Sequence, residues 1–236
     1  MPGQEADKLF SYMEIDFAVI FDMDGVIVDS NPVHQQAIQE FCRKYDKRVT
    51  EAFLHNRVYG RTNKEWIPEL FGQMSPEQTE ALGEEKERIF RQMFDPARHV
   101  VTGITEFVHH LHENRIQMAV ATSAPRANAD YILSELHIQK LFTTVLDSSH
   151  VERGKPEPDV YIKASSFLGF SPQQCLVIED SMAGVEAGLA AGCRVTGVST
   201  THTAEELQNC HLVINDFRKL AITEISELME ASAGKS

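Results

Sequence analysis

The chain predicts an α/β fold: a doubly wound parallel sheet with a small helical domain inserted after the first strand. Three features lead there. From Gly103 onward, short apolar runs alternate with helical patterns, the order expected of βαβ units and of a parallel sheet covered on both faces. From Val49 to about His99, helical patterns follow one another with no strand pattern between them. The first apolar run, Phe17-Ala18-Val19-Ile20-Phe21, ends in Asp22-Met23-Asp24-Gly25, and parallel sheets bind their ligands outside the carboxyl ends of their strands.

The elements follow from local pattern. Pro32 to Tyr45 reads as a helix, because Val33, Ala37, Ile38, Phe41 and Cys42 fall on one stripe. The insertion carries helical patterns at Asn63 to Phe71 and Pro76 to Phe94, broken at Gly60, Gly72 and Gly83, with Phe90 and Phe94 in its core. A helix at Ile104 to His112 precedes a strand at Gln117 to Thr122, then a helix at Pro125 to Leu136 and a strand at Thr143 to Asp147. A helix at Pro158 to Leu168 leads to a strand at Cys175 to Ile178, a helix at Met182 to Ala191 and a strand at Arg194 to Val198. A short strand at His211 to Ile214 and a helix at Phe217 to Met229 finish the fold. Gly184, Gly188 and Gly192 are spaced to let their helix lie close on the sheet. The expected domains are an α/β core of residues 15–31 and 100–230 and a helical domain of residues 32–99, with 1–14 and 231–236 as flexible tails.

Composition narrows the function. With 236 residues, 42% hydrophobic and 24% charged, the chain has the make-up of a soluble globular protein. A net charge of −13 opposes nucleic-acid binding, which needs a positive field. No apolar stretch approaches the ~20 residues of a membrane helix, and residues 1–14 lack the apolar core of a signal peptide. Cys42, Cys175, Cys193 and Cys210 have no paired spacing and read as reduced thiols. The expectation is a cytoplasmic monomer with a small-molecule partner, and no nucleic acid or membrane.

Chemistry enters at the strand ends. Asp22 and Asp24, one residue apart, can divide labour, the first as nucleophile and the second, with a raised pKa, in proton transfer. Thr122-Ser123, Lys155 and Glu179-Asp180 follow in order, each after its own apolar run. Attack on a phosphate monoester needs a nucleophile, neutralisation of the phosphoryl oxygens and a proton for the leaving oxygen. Asp22, Glu179 and Asp180 crowded at one edge imply a cation, and Mg²⁺ suits their oxygen ligands. Lys155 adds a positive point charge. Thr122 and the backbone N–H groups of Ser123 and Ala124, at a strand-to-helix turn, suit an anion.

Each piece has a plainer reading. A Ca²⁺ loop at Asp22 fails because Val26 and Ile27 stand where an acid or amide and a glycine are needed. Single carboxylates could cap helices, Lys155 could be solvated, and Glu179-Asp180-Ser181 could serve only to start a helix. The four pieces together, each at a strand end, favour a site. His109, His110 and His112 lack ligand-spaced partners and read as a solvated helix face.

With these motifs the chain resembles the haloacid-dehalogenase superfamily of phosphotransferases, within it the β-phosphoglucomutase-like phosphatases, from Phe17 to about Asp216. The motifs are Asp22-Met23-Asp24-Gly25-Val26-Ile27-Val28-Asp29-Ser30, Ala121-Thr122-Ser123, Gly154-Lys155-Pro156-Glu157-Pro158-Asp159 and Val177-Ile178-Glu179-Asp180-Ser181. The resemblance implies an aspartyl-phosphate on Asp22. Asp24 would act as acid and then base while its backbone carbonyl ligates Mg²⁺, and Thr122 and Lys155 would bind the transferring group. Glu179 and Asp180 would complete the metal site, and the helical insertion would form a cap that closes over it. In related sugar mutases a cap arginine clamps a second phosphate, and here Asn63 holds that position, with Arg61 two residues earlier. Arg61 and Arg126 are candidate substitutes, Ser30 reads as a turn or cap residue, and His34 faces the site in relatives. Losing the clamp favours hydrolysis over mutase chemistry. A phospho-accepting signalling domain and an idle scaffold are further alternatives; Asp22 on the first strand opposes the former, and the full set of required side chains opposes the latter.

Overall fold

The computed structural model describes residues 16–58 and 62–233. Six parallel strands, β1 (Ala18–Phe21), β2 (Gln117–Ala121), β3 (Thr144–Leu146), β4 (Cys175–Glu179), β5 (Arg194–Val198) and β6 (Leu212–Ile214), form one sheet in the order β3-β2-β1-β4-β5-β6. The central strands are near-continuous apolar runs because both faces are covered. Val19 and Phe21 join the core on one face, Ala18 and Ile20 the core on the other, as the two-residue period requires. Phe21 lies level with Val120 on β2 and Ile178 on β4, so these strands end together. The chain winds from β1 to β2 and β3 on one side, then returns to β4 on the other, which makes the β1–β4 edge a topological switch point.

Between β1 and β2 the described residues form only helices: α1 (Asn31–Lys44), α2 (Glu51–Arg57), α3 (Asn63–Phe71), α4 (Pro76–Met93), α5 (Pro96–His99) and α6 (Ile104–Glu113). The chain enters and leaves this insertion side by side, Asp29 N–H donating to His99 O at 2.7 Å and Val101 N–H to Ile27 O at 3.0 Å. Helix α2 is not apparent in the pattern; the Thr50 hydroxyl caps it by accepting from Phe53 N–H. Gly83 does not break α4. It is buried within the helix, where an added Cβ would stand 3.3 Å from Asn63 Cβ, so its smallness lets α3 and α4 approach.

The remaining helices are α7 (Arg126–Glu135), α8 (Asp159–Leu168), α9 (Met182–Ala190) and α10 (Ile222–Ala233). The last begins five residues later than its pattern predicts. Phe217 is pinned in a loop, its N–H donating to Thr102 O and its ring tilted against Phe107 and Phe21. Residues 231–233, expected in the tail, continue this helix. The tail of residues 1–14 lies outside the described residues.

Candidate active site

Asp22 follows β1 directly, its N–H donating to Ile178 O, while Glu179 ends β4 with Asp180 next to it. Lys155 reaches this edge from the loop after β3. Its Nζ, 7% exposed, donates to Asp22 Oδ1, to Glu179 Oε1 at 2.6 Å and to Ala121 O at 3.2 Å. Two glycines make room for two of the carboxylates. A Cβ on Gly25, whose φ is +84°, would stand 1.9 Å from Asp180 Oδ2, and one on Gly184 would stand 1.6 Å from Glu179 Oε1. Gly188, by contrast, does press its helix onto the sheet, against Val177 and Val195.

The carboxylates are not equivalent. Glu179 Oε1 accepts from Lys155 and from Tyr161 Oη at 2.8 Å; its Oε2 accepts from Asp180 N–H, Ser181 N–H and Ser181 Oγ. Those donors fill its lone pairs, so Glu179 serves first as counter-ion to Lys155. Asp180 Oδ2 accepts from Thr201 Oγ1, which in turn accepts from Asn31 Nδ2. Asp22 Oδ2 and Asp180 Oδ1 accept no hydrogen bond among the described residues. Burial pushes Asp22 well above the usual carboxylate range; Lys155 opposes this, and Glu179, Asp180 and Asp24 reinforce it. Burial and then Glu179 push Asp180 up to about 7. Burial works against Glu179 too, but Lys155 and its hydrogen bonds hold it below the usual range.

Oxygens of Asp22, Glu179 and Asp180 lie within 4.8 Å of one another. Three carboxylates face a single ammonium there, and the cluster's unfilled acceptors are on Asp22 and Asp180. This donor set fits a hard divalent cation, which takes carboxylate oxygens at short range.

Asp24 has its own surroundings. Its Oδ1 accepts from Ser30 Oγ at 2.5 Å and lies 3.8 Å from His34 Nε2. Burial would raise its pKa, but His34, Ser30 and Lys86 together hold it below the usual value. The direction is opposite to the raised value expected from sequence, because these partners come from the start of α1, the residue before it and α4. Ser30 precedes α1 without capping it, and its hydroxyl is spent on Asp24.

Of the other expected residues, Thr122 is buried at the end of β2, its Oγ1 accepting from Ala124 N–H at 3.0 Å, with Ser123 exposed beside it. His34 stacks on Phe90 at 3.7 Å and sits between Asp24 and Lys86 Nζ, 3.4 Å from the latter. Arg126 is not brought to the carboxylates: it is 55% exposed and bonded through Nε to both oxygens of Asp130, one helical turn on. Arg61 lies outside the described residues. Sequence reasoning missed Lys86, Glu87, Asn128, Tyr161 and Thr201. A signal existed for the first two, a charged pair on the same stripe of α4 as Thr79, Gly83 and Phe90.

A doubly wound parallel sheet with a cluster of buried carboxylates at its switch point matches one family of hydrolases. The family model for haloacid dehalogenase-like hydrolases matches residues 19–198, and the chain belongs to that family. It is 34% identical over 187 residues to a phosphorylated carbohydrates phosphatase of Thermotoga maritima, covering 77% of this chain and 84% of that one. It is 28% identical to a β-phosphoglucomutase of Bacillus subtilis, over 90% of this chain and 95% of that one. It is 30% identical to the chloroplastic 5-amino-6-(5-phospho-D-ribitylamino)uracil phosphatase of Arabidopsis thaliana, matched over 89% of this chain but spanning only 57% of that protein. The crystal structure of a family IA, variant 3 hydrolase from Entamoeba histolytica superposes with a TM-score of 0.82 at 29% identity, covering 91% of this chain and 99% of that one. No helix among the described residues is long and apolar enough to cross a membrane.

Proposed function

We propose that this protein is a Mg²⁺-dependent phosphatase of small phosphorylated metabolites, sugar phosphates or similar, working through an aspartyl-phosphate on Asp22. The observation that carries the reading is Lys155 bridging Asp22 and Glu179 with Asp180 beside them. Asp22 and Asp180, with the backbone carbonyl of Asp24, would hold Mg²⁺, with Glu179 behind them, and the ion would supply charge to the phosphoryl oxygens. A carboxylate oxygen of Asp22 attacks phosphorus, and the bond to the leaving oxygen breaks as Asp24 gives that oxygen a proton. Asp24, now anionic, takes a proton from water as the water attacks phosphorus. Phosphate leaves and Asp22 is regenerated. Lys155 and the N–H groups after Thr122 neutralise the phosphoryl charge throughout. The contacts of Asp24 with Ser30 and His34 favour its anion, so substrate entry must relieve them before the first proton transfer. The helical insertion is read as a cap whose closure excludes water.

The same chemistry with a sugar phosphate in place of water makes a mutase. Hydrolysis is favoured by Asn63, whose amide is engaged with Glu87 Oε1 at 2.7 Å and Trp66 Nε1 at 3.2 Å where a phosphate clamp would need a cation. The test is phosphate release with Mg²⁺ across sugar phosphates, nucleotides and pyrophosphate. A parallel reaction follows β-glucose 1-phosphate with and without glucose 1,6-bisphosphate. Release from one class, abolished in Asp22→Asn and in excess chelator, is expected. Bisphosphate-dependent isomerisation without release would make the protein a mutase, and full activity in Asp22→Asn would end the mechanism.

A further inference from the structure

We propose that Glu87 sets charge selectivity: it rejects substrates whose leaving group carries a second anion, so the preferred leaving groups are neutral. This rests on the phosphatase reading above. Glu87 and its neighbour Lys86 are 6% and 5% exposed, a charged pair buried on the inward stripe of α4. Glu87 is tied on three sides. It pairs with Lys86, its Oε1 accepts from Asn63 Nδ2 at 2.7 Å, and its Oε2 accepts from Asn128 Nδ2 at 2.7 Å.

The pair stands close to where the leaving group must lie. Asp24 delivers the proton to the leaving oxygen, so that group sits against Asp24. Asp24 Oδ1 is 3.8 Å from His34 Nε2, and His34 Nδ1 is 3.4 Å from Lys86 Nζ. Glu87 is therefore three contacts from the proton donor, on the insertion side.

Among the described residues the charges around Glu87 are paired. Lys86 is neutralised by Glu87; Arg91 bonds Glu84 at 2.6 Å and Asn128 Oδ1 at 2.7 Å. Among these residues no unpaired cation is left for an anionic leaving group to claim. A second phosphate or a carboxylate would compete with Glu87 for Lys86 and bring like charges together away from water. Such a repulsive element separates substrates that attraction alone would not. Burial opposes the charge on Glu87, but Lys86, His34 and Asn128 keep it ionised, below its usual pKa.

The experiment compares kcat/KM of the wild type and Glu87→Gln, with Mg²⁺, on two matched pairs. These are glycerol 3-phosphate against 3-phosphoglycerate, and glucose 6-phosphate against glucose 1,6-bisphosphate. The wild type is expected to prefer the member of each pair with one anionic group by about tenfold or more, and Glu87→Gln to narrow that ratio by about tenfold. Glu87→Ala is a second neutral variant, and each is checked for cooperative melting. A wild type that hydrolyses both members equally, or a folded variant with an unchanged ratio, overturns the assignment while leaving the phosphatase reading intact. Phosphate release from none of the probes in the previous panel overturns that reading, and this inference with it.

Discussion

The two buried charge clusters of this protein differ in balance. At the sheet edge Lys155 faces Asp22, Glu179 and Asp180, a group with excess negative charge. A short distance away, on the insertion, buried Lys86 is matched by buried Glu87, and Arg91 beside them by the exposed Glu84. Buried charge without a partner is costly, so an unbalanced cluster gains more from an added counter-charge than a balanced one does. In the proposed function the sheet edge binds a cation and an anion in turn, and the insertion shapes what stands beside them.

The largest effect is expected from Lys155→Ala, which deepens the imbalance. The phosphoryl oxygens lose a charge partner, and turnover should fall by about 10³-fold or more. Glu179 and Asp22 lose the ammonium that pairs with them among the described residues, so stability in the metal-free state should drop by about 3–5 kcal/mol, read from urea melts. A variant that keeps either its rate or its stability would mean that Lys155 is not the balancing charge.

A smaller effect separates the clusters by pH. In the fold, Asp180 titrates at about 7, above the ordinary carboxylate value, and Asp22 is shifted the same way. As pH rises from about 4 towards about 7, the metal-free fold keeps a proton that the unfolded chain has shed, so stability falls with rising pH. Glu179 and Asp24 are shifted down, and their contributions are lost instead as pH falls below the ordinary carboxylate range. Mg²⁺ binds the anionic forms, so the rise in Tm that it gives should be larger at about pH 7.5 than at about pH 5. An equal rise at both would break the picture of a metal relieving buried like charges.

The sheet edge was legible because each of its residues is fixed by backbone position. Asp22, Thr122 and Glu179 follow or end apolar strands that finish level, and a pattern that locates the strands locates them too. The insertion cluster was not, because its members meet across helices whose packing no local pattern states. Asn63 comes from α3, Lys86 and Glu87 from α4, and Asn128 from α7, beyond β2. The expected pKa of Asp24 failed for the same reason: its direction is decided by His34 and Lys86. Phe217 repeats the lesson in the fold, since its helical pattern yields to packing against Phe21 and Phe107.

The smallest expected effect is also the test of the one described arginine that sequence placed at the substrate. Arg126 is exposed and paired with Asp130 on α7, an i,i+4 arrangement worth at most about 0.5 kcal/mol. Asp130 does not lose its last partner with it, because Gln139 Nε2 also donates to Asp130 Oδ1 at 2.9 Å. Arg126→Ala should therefore leave the melting curve almost unmoved and change kcat/KM on glucose 6-phosphate and on glucose 1,6-bisphosphate by less than about twofold. A tenfold rise in KM confined to the bisphosphate would place Arg126 beside the second phosphate. A usable cation from α7 would then stand beside the insertion cluster, and the contrast between an unbalanced edge and a neutral wall would fail at that point.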